Sequence, residues 1–365
     1  MRVAVITESF LPQVNGVTNS VLRVCEQLTQ RGHDALVIAP GPGPVEYLGV
    51  PVVRTPAFGL PGYRDFRVAR PWRPLAETLR AFEPDVVHLA SPVSLGAQGA
   101  FAARRLGIPV VAVYQTDLAG FASRYHLSSS QKTVWRWLRM IHDEAARTLA
   151  PSRAAVQQLQ DNGIPRVSRW ARGVDLRRFH PGRRDHLVRR GFSPSGEVVV
   201  GYVGRLAHEK ELALLAPVQH LPGARLVIAG DGPARKQLER QLPHAEFLGF
   251  QSGTELATTF ASLDVFVHPG SHETFCQAAQ EALASGVPLV GPRAGGLQDL
   301  VIDGRNGLSF EPGSADDLTL QVARLVRDAP LRRQLRGQAR LTVQNRSWDV
   351  IGSELVGHYG EVLAA

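Results

Sequence analysis

The chain of 365 residues has little lysine. Only Lys132, Lys210 and Lys236 stand among its 41 basic residues, and the rest are arginine. It has two cysteines, Cys25 and Cys276. Both fall in helix-like runs, so neither a disulfide framework nor a zinc site is expected, and a reducing cytosol fits best. No run of eighteen apolar residues occurs, so no transmembrane helix is predicted. The first residues, MRVAVITESF, read directly as a strand. They lack the length and the small-residue cleavage site of a signal peptide, and the expected location is cytoplasmic. No G-x-G-x-x-G follows a predicted strand, which argues against a dinucleotide oxidoreductase. The formal net charge is +8, yet no zinc-finger, helix-turn-helix or RNP pattern accompanies it, and nucleic acid is not an expected partner. Phosphorylated small molecules and an anionic membrane surface remain.

What is present is ordinary for a globular protein: 44% hydrophobic and 20% charged residues. The length points to two domains. Apolar runs alternate with helical periodicity nearly throughout. Strands are predicted at residues 3–7, 35–39, 85–89, 109–114 and 148–150, with a helix over 16–31 closed by Gly32. The pattern restarts with strands at 198–203, 225–229, 246–248, 265–268 and 288–290. Helices are predicted at 210–221, 234–242, 256–262, 273–285, 297–301 and, in pieces, 316–344. The fold class is therefore α/β, with two doubly wound domains facing across a cleft. The expected domains are 1–172 and 173–347, the charged segment 173–194 is the natural joint, and a last helix over 348–365 packs back on the first domain. Ligands of such sheets bind beyond the carboxyl ends of the strands.

Several motifs fall on loops of that kind. Asn15-Gly16 precedes the first helix, where a glycine lets backbone N–H groups approach a phosphate; a tight turn explains it as well. Gly204, Arg205 and Lys210 follow the strand 198–203, and two cations five residues apart can clamp a pyrophosphate. A lysine suits a phosphate point contact, although two solvated cations are the plainer alternative. Gln115 and Asp117 follow the strand 109–114 and suit hydroxyl groups, with helix capping as the alternative for Asp117. Phe250, past the strand 246–248, suits a nucleobase edge or a core. Arginines interleave with Tyr63, Phe66 and Trp72 over residues 63–73, and with Trp135 and Trp137 over 135–139. Both read either as a membrane-facing stripe or as a solvated face. His126, His142 and His268 lack metal-ligand spacing and are expected to be structural.

The richest stretch is HETFCQAAQEALASG, residues 272–286. Glu273 and Glu281 stand eight residues apart, ~12 Å along a continuous helix. That distance is comparable to the pyrophosphate-plus-sugar portion of a nucleotide sugar, and carboxylates suit vicinal diols. Thr274, Phe275 and Cys276 would offer free N–H groups at that helix start.

Together with ESFLPQVNGV, APS at 150–152, RGVDLRRFHP and GYVGRLAHEK, this stretch resembles retaining glycosyltransferase family 4 over essentially the whole chain. VYQTDLAGF combined with HETFCQAAQEALASG is similar to GDP-mannose-dependent α-mannosyltransferases of glycolipid synthesis. The resemblance implies the GT-B fold, an acceptor-binding N-terminal domain and a donor-binding C-terminal one. It implies that Arg205 and Lys210 bind the diphosphate, Glu281 the ribose and Glu273 the donor sugar, with Gly16 against the phosphates in a closed state. Many relatives carry a histidine where this chain has Gln115, which moves attention to Gln115 and Asp117. The implied reaction is same-face transfer of a hexose, without a cofactor or an essential metal, from a nucleotide sugar to a lipid or glycan hydroxyl. GDP-mannose is the expected donor. A UDP-sugar-dependent glucosyl or sulfoquinovosyl transferase acting on a diacylglycerol-type lipid is the alternative. Peripheral contact with the inner face of the cell membrane goes with either.

Overall fold

The computed structural model describes residues 1–60, 63–117 and 131–365. The chain divides into two compact units, one of Met1–Gly173 with Trp348–Ala365, the other of Val174–Ser347.

The first unit is built on strands β1 (Arg2–Thr7), β2 (Asp34–Pro40), β3 (Glu46–Tyr47), β4 (Val50–Thr55), β5 (Ala57–Leu60), β6 (Tyr63–Ala69), β7 (Val86–Ala90), β8 (Val110–Val113), β9 (Arg147–Ala150) and β10 (Val167–Arg169). The main sheet runs β10-β9-β8-β7-β1-β2-β4-β3. It is parallel apart from the short β3–β4 pair. β5 and β6 form a separate antiparallel ribbon. The near-continuous Val, Ile, Leu and Ala of β1, β2, β7 and β8 are buried, as strands covered on both faces must be. The chain leaves β1 towards β2 and β4, then returns to add β7 to β10 on the other side. The switch point therefore lies between β1 and β7.

The last helix, Trp348–Leu363, belongs to this unit. Its Ile351, Leu355 and Tyr359 join the core formed with Val21, Val24 and Leu28 of the helix Gly16–Gln30. The Tyr359 hydroxyl lies 2.7 Å from His88 Nδ1 at the centre of β7. Burial holds the His88 pKa down, to about 3.

The second unit carries β11 (Val198–Val203), β12 (Ala224–Ala229), β13 (Glu246–Gly249), β14 (Val265–Val267), β15 (Leu289–Pro292) and β16 (Gly307–Phe310). The sheet is all parallel, ordered β13-β12-β11-β14-β15-β16, with its switch point between β11 and β14. Asp264, one residue before β14, pins the N-terminal edge. Its carboxylate accepts from Arg184 Nη2 at 2.7 Å, Arg189 Nη2 at 2.8 Å and the Val199 N–H at 3.0 Å.

Segment 173–194, expected as a joint, lies almost wholly inside this unit. It forms a 3₁₀ turn at Pro181–Arg183 and a helix at His186–Phe192, and Phe179 and Phe192 are buried in the core. Residues 210–221 also differ from expectation. They form three short 3₁₀ turns, His208–Lys210, Leu212–Leu215 and Val218–His220, instead of one helix. Pro217 lacks the N–H a continuing helix needs, and Glu211 stands in the left-handed region at φ 55°.

Candidate active site

Two loops flank the switch point of the second sheet, residues 204–211 after β11 and residues 268–276 after β14. They meet at an ion pair. Lys210 Nζ lies 2.6 Å from Glu273 Oε1, and His268 Nε2 lies 3.2 Å from the same oxygen. His268 is buried, and the Lys210 and Glu273 side chains are 23% and 16% exposed. Partial burial of that degree lets the charges act on one another with little solvent screening. Burial by itself raises the Glu273 pKa, but the Lys210 ammonium and the His268 ring together overcome it and hold the carboxyl at about 2. Burial likewise lowers the Lys210 pKa, and the Glu273 carboxylate more than reverses it, so the net direction is upward. Burial also opposes charge on His268, while the Cys276 sulfur and the Glu273 carboxylate favour it, and its pKa is raised to about 10.

Close backbone approach makes this arrangement possible. A Cβ on Gly230, after β12, would stand 1.9 Å from the Gly204 carbonyl oxygen, so only glycine lets these two loops touch. Hydrogen bonds from Leu206 N to Asp231 O and from Ala234 N to Leu206 O then fix the loop carrying Arg205. Gly295 and Gly296 press against the other loop. The Gly296 N–H donates to the Glu273 carbonyl at 2.6 Å, and a Cβ on Gly295 would stand 2.5 Å from that oxygen.

That last contact corrects the expected helix over 273–285. The helix spans Gln277–Ala284, with Cys276 as an extended N-cap. Glu273 precedes it in an irregular turn, because its carbonyl is engaged by Gly296 instead of a helical partner. The ~12 Å helical rise therefore does not describe the path from Glu273 to Glu281. Glu281 does lie on the helix, within 3.4 Å of Gln277 Nε2. The Phe275 and Cys276 side chains are buried in the core, which leaves only their backbone groups for a ligand. Thr274 packs its carbonyl against Gly296. Arg205 is exposed, and its carbonyl accepts the buried Tyr202 hydroxyl at 3.1 Å. Phe250 is 69% exposed just past β13.

In the first unit the loops after β1 and β8 carry the other expected residues. Asn15 caps the helix Gly16–Gln30, its side chain accepting from Thr18 N at 3.0 Å and donating to Ser9 Oγ at 2.7 Å. Arg172 joins two of the expected positions, since its Nη2 donates to the Gly16 carbonyl and, at 3.0 Å, to Gln115 Oε1. Asp117 Oδ1 accepts from the Tyr114 hydroxyl at 3.2 Å and from Gln158 Nε2 at 3.4 Å. Residues 118–130, which follow it and on which a capping role would depend, lie outside the described residues.

Residues 14–178 match the family model described as Glycosyltransferase Family 4, and residues 184–342 match that of Glycosyl transferases group 1. This chain belongs to glycosyltransferase family 4. A GDP-mannose-dependent alpha-mannosyltransferase of Corynebacterium glutamicum is 48% identical, with the match covering 100% of this chain and 90% of that protein. One from Mycobacterium tuberculosis is 49% identical over 99% of this chain and 97% of its own length. Among solved structures, Anabaena HepE in complex with UDP superposes with a TM-score of 0.82 at 20% identity, covering 99% of this chain and 100% of that one. At that identity the likeness speaks for the fold alone, which is GT-B.

Some residues of this family 4 glycosyltransferase were not visible as site residues in its sequence. His268, expected to be merely structural, sits on Glu273. The donor atoms of His268, Glu273 and Cys276 lie within 4.8 Å of one another. Lys210 already delivers a positive charge to that carboxylate. Spacings of five and eight residues across a loop carry no metal signature, so only the turn at 269–272 reveals the group. Arg172, the first residue of RGVDLRRFHP, was likewise not among the expected site residues. His142 is buried against Thr148 Oγ1 at 3.0 Å, and His126 lies outside the described residues.

The basic-aromatic stretches divide. In residues 63–73 the side chains of Tyr63, Arg64, Asp65 and Phe66 lie outside the described residues. Arg67 donates to the Gly41 carbonyl at 3.0 Å, and Arg70 stands over the Phe58 ring. On the helix Gln131–Asp143, Leu138 is buried and Trp135 stacks near Tyr114, while Lys132, Arg136, Trp137, Arg139 and Met140 are exposed. Among the described residues no helix is long and apolar enough to cross a membrane.

Proposed function

We propose that this family 4 glycosyltransferase moves a mannosyl unit from GDP-mannose to a hydroxyl of a lipid or glycan acceptor, with retention of configuration. The observation that carries the reading is the partly buried Lys210–Glu273 pair at the switch point of the second sheet. It stands in a chain alike along its whole length to GDP-mannose-dependent alpha-mannosyltransferases. Breaking a glycosyl–phosphate bond puts negative charge on the departing diphosphate. A positive group fixed beforehand at that place stabilises the charge without reorganising. Lys210 fits, because Glu273 keeps it protonated and oriented. Arg205, five residues upstream and exposed, supplies a second cation. Glu273 accepts from hydroxyls of the donor sugar, and Glu281 from the ribose. Phe250 offers an aromatic face to the base.

No protein nucleophile is assigned. The acceptor proton leaves with the diphosphate on the same face of the sugar, and the enzyme contributes position and charge. Gln115 and Asp117 are assigned to acceptor hydroxyls, with Asn15 and Gly16 on the neighbouring loop. For a lipid acceptor, the exposed Lys132, Arg136, Arg139, Trp137 and Met140 form a face suited to anionic headgroups.

The test is calorimetric binding of GDP, UDP, GDP-mannose and UDP-glucose at two salt concentrations, with Glu281→Ala as control. Binding confined to the guanosine pair and lost in the variant is expected. Preference for the uridine pair would move the donor to a UDP-sugar. Weak binding of all four that collapses with salt would refute the site.

A further inference from the structure

Glu211 has a backbone that its side chain does not favour. It holds φ 55° and ψ 30°, a left-handed conformation that glycine adopts freely and other residues adopt at a cost. Such backbones persist where surrounding contacts over-determine them, and they gather at functional sites. Here the contacts are visible. The Glu211 carboxylate accepts from Ser271 N at 3.1 Å and from Ser271 Oγ at 3.0 and 3.1 Å, while His272 Nε2 lies 3.6 Å away. Ser271 is two residues before Glu273, and Glu211 directly follows Lys210. One carboxylate thus ties the loop after β11 to the loop after β14, beside both members of the ion pair. The backbones are already close, since a Cβ on Gly270 would lie 3.3 Å from Lys210 Cα.

We propose that Glu211 is a positioning residue for the donor site, whose carboxylate sets the turn at Ser271 so that Glu273 meets Lys210. This rests on the reading of Lys210 and Glu273 given above. It goes further in assigning their alignment to a residue that touches neither the donor nor the reacting atoms. The left-handed backbone aims the Glu211 side chain at the 271 turn, and two hydrogen bonds to one residue resist its rotation. A displacement of about 1 Å at such a site is enough to cost on the order of a hundredfold in rate.

The test separates positioning from stability. Glu211→Gly removes the acceptor and relieves the backbone, so the melting temperature should hold or rise. Glu211→Gln keeps an acceptor for Ser271 on the same backbone. The first readout needs no substrate: carbon NMR titration of the Glu273 carboxyl, assigned through Glu273→Gln. In Glu211→Gly the Glu273 pKa should rise from its low value by about one unit or more, because Lys210 no longer sits squarely on it. In Glu211→Gln it should stay low. The second readout is GDP release from GDP-mannose with water as acceptor, where kcat should fall about tenfold or more in Glu211→Gly, with a smaller change in KM, and recover in Glu211→Gln. If Glu211→Gly proves insoluble, Glu211→Asn serves, since asparagine tolerates the backbone but is too short to reach Ser271. An unmoved Glu273 titration in the glycine or asparagine variant, or an equal shift in Glu211→Gln, would overturn the proposal. A wild type that titrates as expected yet neither binds nor cleaves GDP-mannose would instead overturn the donor assignment.

Discussion

Replacing Lys210 by methionine keeps much of the stem's volume and removes its charge. In the wild type the Glu273 carboxyl is held at about 2, against 4.5 without its surroundings. At ~1.4 kcal/mol per pKa unit, that is on the order of 3 kcal/mol of preference for the ionised form, supplied by Lys210 and His268 together. The folded pKa lies below the unfolded one, so this stabilisation is fully present above about pH 4.5 and is lost as pH falls towards 2. In Lys210→Met, burial is opposed only by His268, and most of that preference is lost. Urea unfolding of both proteins at pH 7, 5, 4 and 3 should show a stability gap of roughly 2–3 kcal/mol at pH 5 and above, narrowing steadily below pH 4.5. Other acid-labile groups are common to both proteins and cancel. Turnover at neutral pH should fall about 10²–10³-fold, the usual loss when one pre-set charge stabiliser is removed. A pH-independent gap would refute the pairing, and a kcat within about threefold of wild type would refute the role given to Lys210.

Three further outcomes follow from the same geometry. Asp264→Ala removes the carboxylate that pairs with Arg184 and Arg189 and accepts from the Val199 N–H and should cost about 3–5 kcal/mol in denaturant unfolding; a loss below about 1 kcal/mol would show the cluster to be solvated. Gly230→Ala sets a Cβ on the Gly204 carbonyl, so the 204–210 loop must shift, and donor affinity by calorimetry should fall at least about tenfold while a surface alanine control is neutral. Burial holds the His88 pKa at about 3, below its ordinary 6.5. The unfolded chain therefore binds the extra proton, and stability falls as pH drops from about 6.5 to 3. His88→Leu should flatten that part of the acid-unfolding curve, and an unchanged slope would refute the assignment.

Much of the architecture was legible because buried parallel strands are continuous apolar runs. The strand Val198–Val203 and the helix Trp348–Leu363 fall where their patterns put them. The loops were harder. Residues 210–221 have helical spacing, but Pro217 and the left-handed Glu211 break the segment, and neither effect is visible in apolar periodicity. The short β10, Val-Ser-Arg, has too little pattern to predict, and its place depends on pairing with β9. At the site, Lys210 and Glu273 were each recognisable, but their contact was not. It depends on Gly270, Gly296 and Glu211, whose importance lies in what approaches them. Local propensity reads the chain one window at a time, whereas this site is made where two windows touch.

The arginine excess invites an electrostatic reading, but some of these arginines serve the backbone instead. Arg54 donates to the carbonyls of Leu11, Pro40 and Pro44, Arg340 to those of Leu176, Phe179 and Ala284, and Arg184 to those of Ala261 and Leu263. Each ties together carbonyls of loops and of strand or helix ends, such as Pro40 at the end of β2 and Ala261 and Ala284 in the last turns of their helices. A guanidinium suits this work, having five donors in a rigid fork and weak hydration, whereas an ammonium is compact and costly to dry. Arginines engaged in this way hold loops in place and are poorly placed to gather anions. The formal charge of +8 therefore includes arginines that hold backbone in place. A lysine kept partly buried in such a chain needs a separate reason, and at Lys210 the reason is a carboxylate 2.6 Å away. Anion binding at this site should therefore weaken only gently with salt, as two local cations require, and a steep polyanion-like slope would mean that the arginines are freer than their carbonyl contacts show.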